Sequence, residues 1–406
     1  MPNHENVAEK PKIKIVAVAK DEASYFPEWI HHHLFFGFDA IEIHINRTTD
    51  NSAEVLSSIC SEHPSVSWQV ADWVDLCPGD AKNHIQFIIY AKALAEMRLS
   101  GEFTHVFFLD IDEFWCPTDF SIKIQDYLLS LPLDKAIFFE WINDLGNLLP
   151  FSPVPQNIEG NLSPLGKTLL PIDLELVELR HHVPLIRNKS QHILANGDVF
   201  EGREKMVQAL NPKLNSLKNA FVYHRAHRSE MEYVSLVYRG RPGNSFKYKN
   251  NRKGIPRRSP ATLDVYLSDF VYKAYSESLE GFMDSLNIEL SIANAQSFVR
   301  ERYEHSVNNM DNGLHAGYKY MLDIFHGVKI PEITAKFQQY RKRMVSKQPF
   351  NANLIRDFAI NAASQDIDEA IELMKKAQHL RPKGPQIRKY LANFERNKLK
   401  KLKRAD

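Results

Sequence analysis

Between Lys12 and Val70 the chain alternates short apolar runs with helical ones, and this alternation restricts the fold more than any other feature. KIKIVAVAK at Lys12–Lys20 is β-branched and apolar with lysines near its ends, the composition of a buried central strand. Asp21-Glu22-Ala23-Ser24 offers polar caps, Pro27 stands in the first turn of a helix running from Phe26 to Phe36, and Gly37 is placed to end it. AIEIHI (Ala40–Ile45) alternates as a second strand. A polar turn, a short helix over Ser52–Cys60 and a strand over Val66–Val70 follow. The order β-α-β-α-β predicts an α/β fold with a doubly wound, mostly parallel sheet. Ligands of such sheets bind beyond the carboxyl ends of the strands, so the loops after strands are where chemistry is expected.

The pattern continues with an amphipathic helix over Ala81–Leu99, a strand over His105–Leu109 and another over Ala136–Trp141. The stretch from Asn143 to about Lys167, irregular and rich in proline and asparagine, reads as long functional loops. Phe221–His224 reads as one more strand, and a helix begins near Ser229. These elements place a sheet domain over residues 12–243, a helical extension over 259–345 and a helical end over 350–406. In that end Asp368-Glu-Ala370, Ala377 and Pro382 are spaced as in the second helix of a tetratricopeptide unit, a surface that can take a protein partner.

Composition removes several classes. Lys and Arg (51) nearly cancel Asp and Glu (50) over 406 residues, which leaves no chain-wide field to collect nucleic acid. Cys60, Cys77 and Cys116 form neither a disulfide ladder nor a zinc pattern and suit a reducing compartment. No apolar run reaches the ~18 residues of a membrane span, so a cytoplasmic protein is expected. The basic stretch Arg396–Arg404, with Leu399 and Leu402, reads either as a solvated helix end or as a peripheral contact with an anionic membrane.

HVFFLDIDEF carries the chemistry. Asp110 and Asp112, two apart at the end of an apolar strand, are hard carboxylates that can reach one divalent cation, Mg2+ or Mn2+, with a diphosphate completing its shell. Such a cation neutralises charge developing on a nucleotide diphosphate leaving group. Glu113, turned away by alternation, is expected to orient its neighbours, with Phe114 and Trp115 packed beneath.

Over roughly Lys14–Gly240 the sequence resembles the DxDEF-containing branch of the family 2-like glycosyltransferases with a GT-A fold, close to family 92. The residues that carry the resemblance stand in serial order: Lys20-Asp21-Glu22, Glu28-Trp29-Ile30, His32 or His33, Gly37-Phe38-Asp39, Asn46 to Asp50, Gln86 and Tyr90, Asp110 to Phe114, Trp141 with Gly146, and His224 with Ser229 and Arg239-Gly240. The resemblance implies a nucleotide-sugar donor, a glycan or lipid-linked acceptor and a single-displacement, inverting transfer assisted by a metal. His224 is implied as a third metal ligand or a diphosphate contact, and Gln86, Tyr90 and Asp110 as donor contacts. Three departures stand out: Asp21 replaces the usual asparagine, Val237 or Tyr238 stands where the family has a lysine before Arg239-Gly240, and Ile45 stands where an aspartate commonly holds the nucleoside. Glu22, Asn46 or Asp72 are the residues expected to take over that contact. Asp144 is the first candidate for the proton acceptor, with Asp198 and Glu201 as alternatives.

Other readings stay open at this level. A nucleotidyltransferase would use the same cation logic, and a helical-repeat binding protein would make the transferase-like domain a degenerate scaffold. On a helix, consecutive residues fan out by about 100°, so His31-His32-His33 cannot converge on one ion; one buried and two exposed rings are expected. Arg225, Arg228, Arg239 and Arg241 would either grip a diphosphate or form a solvated face.

Overall fold

In the computed structural model, residues 10–203, 206–240, 246–249 and 251–402 are described. Arg241 and the last residues of the basic end, 403–406, lie outside them. The chain divides into two compact units that interleave along the sequence. One comprises Met1–Arg228 with Arg258–Val299, the other Ser229–Arg257 with Arg300–Asp406. The segment 259–345, expected as one helical extension, is therefore shared between them.

The first unit opens as the periodicity predicts, with β1 (Ile13–Ala19), α1 (Phe26–Phe35), β2 (Ala40–Ile45), α2 (Ser52–Glu62) and β3 (Val66–Val70). Gly37 has φ +84°, the left-handed turn that ends α1. The next helix, α3, covers Ile85–Ser100; the four residues before Ile85 that were expected to be helical form 3-10 turns instead. Then come β4 (His105–Phe108), β5 (Glu113–Pro117), α4 (Ile124–Leu128) and β6 (Ala136–Asp144). The stretch read as irregular loops contains most of a long strand, β7 (Asn157–Pro171). Its helix-breaking residues disguise it: the pairing of β7 with β6 shifts register where Glu140 faces Gly166 and Trp141 faces Ser163, so Pro164 and Leu165 sit in a bulge that needs no ladder bond from proline.

Two small ribbons follow, β8 (Leu176–Glu178) with β9 (Leu185–Ile186), and β11 (Gly202–Arg203) with β12 (Met206–Leu210); β10 (His192–Leu194) lies between them in sequence. β13 (Ala220–His224) returns to the main sheet. The sheet also extends past the boundary expected at 243: β14 (Thr262–Tyr266), in a region read as mostly helical, pairs antiparallel with β7. The sheet order is β3-β2-β1-β4-β7-β6-β13-β5, with β10 beside β6 and β14 beside β7. Tracing the pairings, β7 and β5 run against the other strands, so the sheet is mixed but mostly parallel.

Alternation along β1 explains why helices cover both faces. Ile13, Ile15, Ala17 and Ala19 enter a core shared with α1, α2 and α6 (Asp269–Leu286), whereas Val16 packs with Ile89, Tyr90 and Ala93 of α3. The chain leaves β1 toward β2 and β3 and then crosses back to β4 on the other side of β1. In doubly wound sheets such a reversal marks where ligands bind, here the carboxyl ends of β1 and β4.

The second unit is helical, built from α5 (Glu230–Tyr238), the end of α7 (Glu289–Asn308), α8 (Met310–Ile324), α9 (Pro331–Lys347), α10 (Ala352–Ala362), α11 (Ile367–Leu380) and α12 (Pro385–Leu402). Its core joins Tyr233 and Val237 to Leu314, Met321, Phe337, Phe358 and Met374. Arg341, fully buried, is satisfied by Glu369 and Gln365. Among the described residues no helix is long and apolar enough to cross a membrane.

Candidate active site

The parallel strands deliver their polar ends to one edge of the sheet. β1 leads to Asp21 and Glu22, β2 to Asn46, β3 to Asp72, β4 to Asp110 and Asp112, β6 ends on Asp144 and β13 on His224. The sequence alone placed these residues on strand ends; the parallel pairing of β6 with β13, Asn143 opposite His224, brings the last two together.

Asp112 and His224 face each other, with Nε2 of His224 3.7 Å from Oδ2 of Asp112. The other ring nitrogen, Nδ1, lies 2.8 Å from Oδ1 of Asn143, and the ring packs against Trp141 with centroids 4.1 Å apart. Anchored at Nδ1, the imidazole keeps Nε2 directed toward the carboxylate, the arrangement in which histidine and aspartate serve one cation. Among the described residues no group of three or more His, Cys, Asp or Glu side chains is gathered for a metal, so a cation held here would fill its shell from water and a diphosphate. The donor set fits that use, since both side chains are partly open and one carboxylate oxygen faces one imidazole nitrogen.

Asp110 is engaged differently. Gln86 at the start of α3 donates to Oδ1 at 2.8 Å, and Lys167 of β7 donates to Oδ2 at 3.1 Å. Lys167 also lies 3.0 Å from Oε2 of Glu113, which in turn accepts from the backbone N–H of Asp110 at 2.7 Å. Burial alone would lower the Lys167 ammonium, but the carboxylates of Asp110 and Glu113 outweigh it and hold it charged. Burial pushes Glu113 well above the usual carboxylate range against the pull of Lys167, and its Oε1 has no partner. Lys167 was missed by sequence reading because nothing marks a lone lysine in an apparently irregular stretch. Only the antiparallel register of β7 on β4, Leu169 opposite Phe107, carries it to the end of β4.

Several residues expected as donor contacts are bonded to their neighbours in the scaffold. Tyr90 is buried, its ring stacked 4.2 Å from that of Phe108 in the core between sheet and α3, so it is not open to a ligand. Glu22 pairs with Arg228, whose guanidinium lies over the Tyr25 ring. Asn46 donates to Asp72 Oδ1 at 3.1 Å, and the same oxygen accepts from the backbone N–H of Arg47 at 2.7 Å; together they brace the loop after β2. Arg225 is buried against Glu28 at 2.8 Å, so neither Arg225 nor Arg228 forms a solvated face. His31, His32 and His33 are all buried, contrary to the expectation of two exposed rings. His31 meets Ser278 and His32 meets Tyr275, both on α6, and His33 bonds back to Trp29 O. α1 is thus covered on the side opposite the sheet as well.

Asp144 is corrected as a direct proton acceptor. It is fully buried, Oδ1 accepts from the backbone N–H and from Nδ1 of His227 at 3.0 and 2.7 Å, and Oδ2 accepts from the backbone N–H of Arg228. No acceptor hydroxyl can reach it. Asp198 lies in an exposed turn bonded to Asn196, and Glu201 is exposed beside β11.

A solved structure titled WbbM bifunctional glycosyltransferase, apo structure, is similar at 16% identity over 33% of this chain and 24% of that chain, with a TM-score of 0.22. No curated protein matches. The model of glycosyltransferase family 92 matches residues 13–157, from β1 to the start of β7, a span that contains Asp110, Asp112 and Asp144 and stops short of Lys167 and His224. What the chain resembles over those residues is glycosyltransferase family 92, and that match supports a glycosyltransferase.

Proposed function

We propose that the chain is a metal-dependent glycosyltransferase that moves a sugar from a nucleotide-diphosphate donor to an acceptor hydroxyl of a glycan or lipid-linked glycan, with inversion. The observation that carries this reading is the pairing of Asp112 with His224, 3.7 Å apart at the carboxyl edge of a mostly parallel sheet. Asp112 and His224 would hold Mn2+ or Mg2+, which supplies charge neutralisation for the departing diphosphate. Asp110, more open than Asp112 and held by Gln86 and Lys167, is then placed to accept from a donor hydroxyl rather than to bind the cation alone.

Thermal-shift titration with nucleotide sugars and Mn2+, followed by measurement of nucleoside diphosphate release, tests this reading. A ligand at a hundred times its Kd stabilises the native state by about 2.7 kcal/mol, a readily measured rise in Tm. Asp112→Asn and His224→Ala should abolish the metal-dependent part of that rise. Pyrophosphate release from a nucleoside triphosphate, with no turnover of nucleotide sugars, would replace this reading by a nucleotidyltransferase.

A further inference from the structure

We infer that His227 is the proton acceptor of the transfer, with the buried Asp144 as its positioning residue; this rests on the transferase reading above. The loop Arg225–Arg228 follows β13 and is pinned on two sides. The backbone N–H of Arg225 donates to the carbonyl of Asp112 at 2.7 Å, and the backbone N–H groups of His227 and Arg228 donate to the carboxylate of Asp144. The loop therefore runs along the sheet edge between the two acidic strand ends, starting one residue after the proposed metal ligand His224. At no more than ~3.6 Å per residue, the Cα of His227 lies within about 11 Å of that of His224, close enough for its side chain to flank a sugar attached to a metal-bound diphosphate.

The tautomer follows from the hydrogen bond. An ionised carboxylate only accepts, so Nδ1 of His227, 2.7 Å from Oδ1 of Asp144, carries the proton and Nε2 carries the lone pair. The ring is held but not sealed, with its side chain 12% exposed while that of Asp144 is 1% exposed. Asp144 thus reaches the reaction only through the imidazole, and its charge stabilises the imidazolium once formed. In the transfer, the acceptor oxygen forms a bond to the anomeric carbon, the bond from that carbon to the diphosphate oxygen breaks with its electron pair leaving on the nucleoside diphosphate, and the acceptor proton moves to Nε2 of His227.

The test uses the full chain with Mn2+ and a donor identified by nucleoside diphosphate release, and compares wild type with His227→Gln, His227→Gly and Asp144→Asn. Removing a general base is expected to lower kcat by roughly 10²–10⁴-fold while the donor-dependent thermal shift persists. Added imidazole should restore turnover to His227→Gly at least tenfold, and Asp144→Asn should lower kcat at unchanged donor KM. Turnover of His227→Gln within threefold of wild type overturns the assignment. So does a folded, donor-binding His227→Gly that imidazole fails to rescue. If the wild type releases no nucleoside diphosphate from any nucleotide sugar, the transferase reading falls first and this assignment with it.

Discussion

Lys167→Met isolates the charge arrangement behind the acidic strand end. Nζ lies 3.1 Å from Asp110 and 3.0 Å from Glu113, in a side chain only 3% exposed. At an effective dielectric of about 20, the contact with Asp110, and that with Glu113 when it is ionised, contributes roughly 5 kcal/mol of attraction, much of it offset by stripping water from the ammonium. Removing one member of a buried pair typically costs about 3–5 kcal/mol, because the partner is left charged or must take up a proton. In the variant, Glu113 loses the Lys167 ammonium that lowers its pKa while burial, Asp110 and Asp112 still raise it. The sign follows by linkage. A carboxyl whose folded pKa is raised binds protons in the folded state that the unfolded chain has already released, so stability is lost as pH rises from the ordinary carboxylate range toward the raised value. Urea denaturation should show a deficit of about 3–5 kcal/mol at pH 8 that narrows toward pH 5. Adding Glu113→Gln to Lys167→Met should recover part of the deficit, which a double-mutant cycle reads as coupling. A Lys167→Met chain within about 1 kcal/mol of wild type at pH 8, or a deficit that grows on acidification, would refute the arrangement.

Three further outcomes follow from the packing. Burial lowers the pKa of His31 and His105 to about 4 and of His33 and His192 to about 3, so each contributes stability that is present above pH 6.5 and lost as pH falls through the folded value, about 1.4 kcal/mol per pH unit apiece; urea midpoints of His105→Gln should lose one such increment of slope between pH 6.5 and 4.5, and an unchanged slope contradicts the assignment. Gly166→Ala puts a methyl group 2.0 Å from the carbonyl oxygen of Phe139 at the β6–β7 bulge, so a loss of about 1–3 kcal/mol is expected in thermal melts, and a neutral result would mean that the bulge is misplaced. Ser229→Ala removes one half of the capping box it forms with Glu232 at the start of α5 and should cost about 1 kcal/mol by chemical denaturation, with Ser229→Asp retaining most of the stability.

What was legible in the sequence was the part whose period is set by local geometry. β1, β2, β3 and α1 follow from alternation and helical spacing, and Asp110, Asp112 and His224 were recognisable as strand ends because an apolar run stops there. What was not legible depends on partners distant in the chain. Lys167 and Asp110 are 57 residues apart, and only the pairing of β7 with β4 makes them neighbours. β7 itself was hidden because proline and glycine argue against a strand unless a bulge accommodates them, and the bulge is a property of the pair rather than of either segment. The histidine run shows the same limit: helical geometry correctly separates the three rings, but whether a face is buried is decided by α6, more than two hundred residues away.

Asp144 makes the distinction sharper. Its position after a strand put it among the polar strand ends, yet composition cannot tell a carboxylate that accepts a substrate proton from one that accepts backbone N–H groups. The structure separates them by burial and commitment: the two oxygens already accept from two backbone N–H groups and one imidazole, and the fully buried group is closed to a substrate. A buried carboxylate so committed has one outlet toward the edge of the sheet, the ring that it orients, so the proton chemistry expected of the aspartate passes to the histidine 83 residues later.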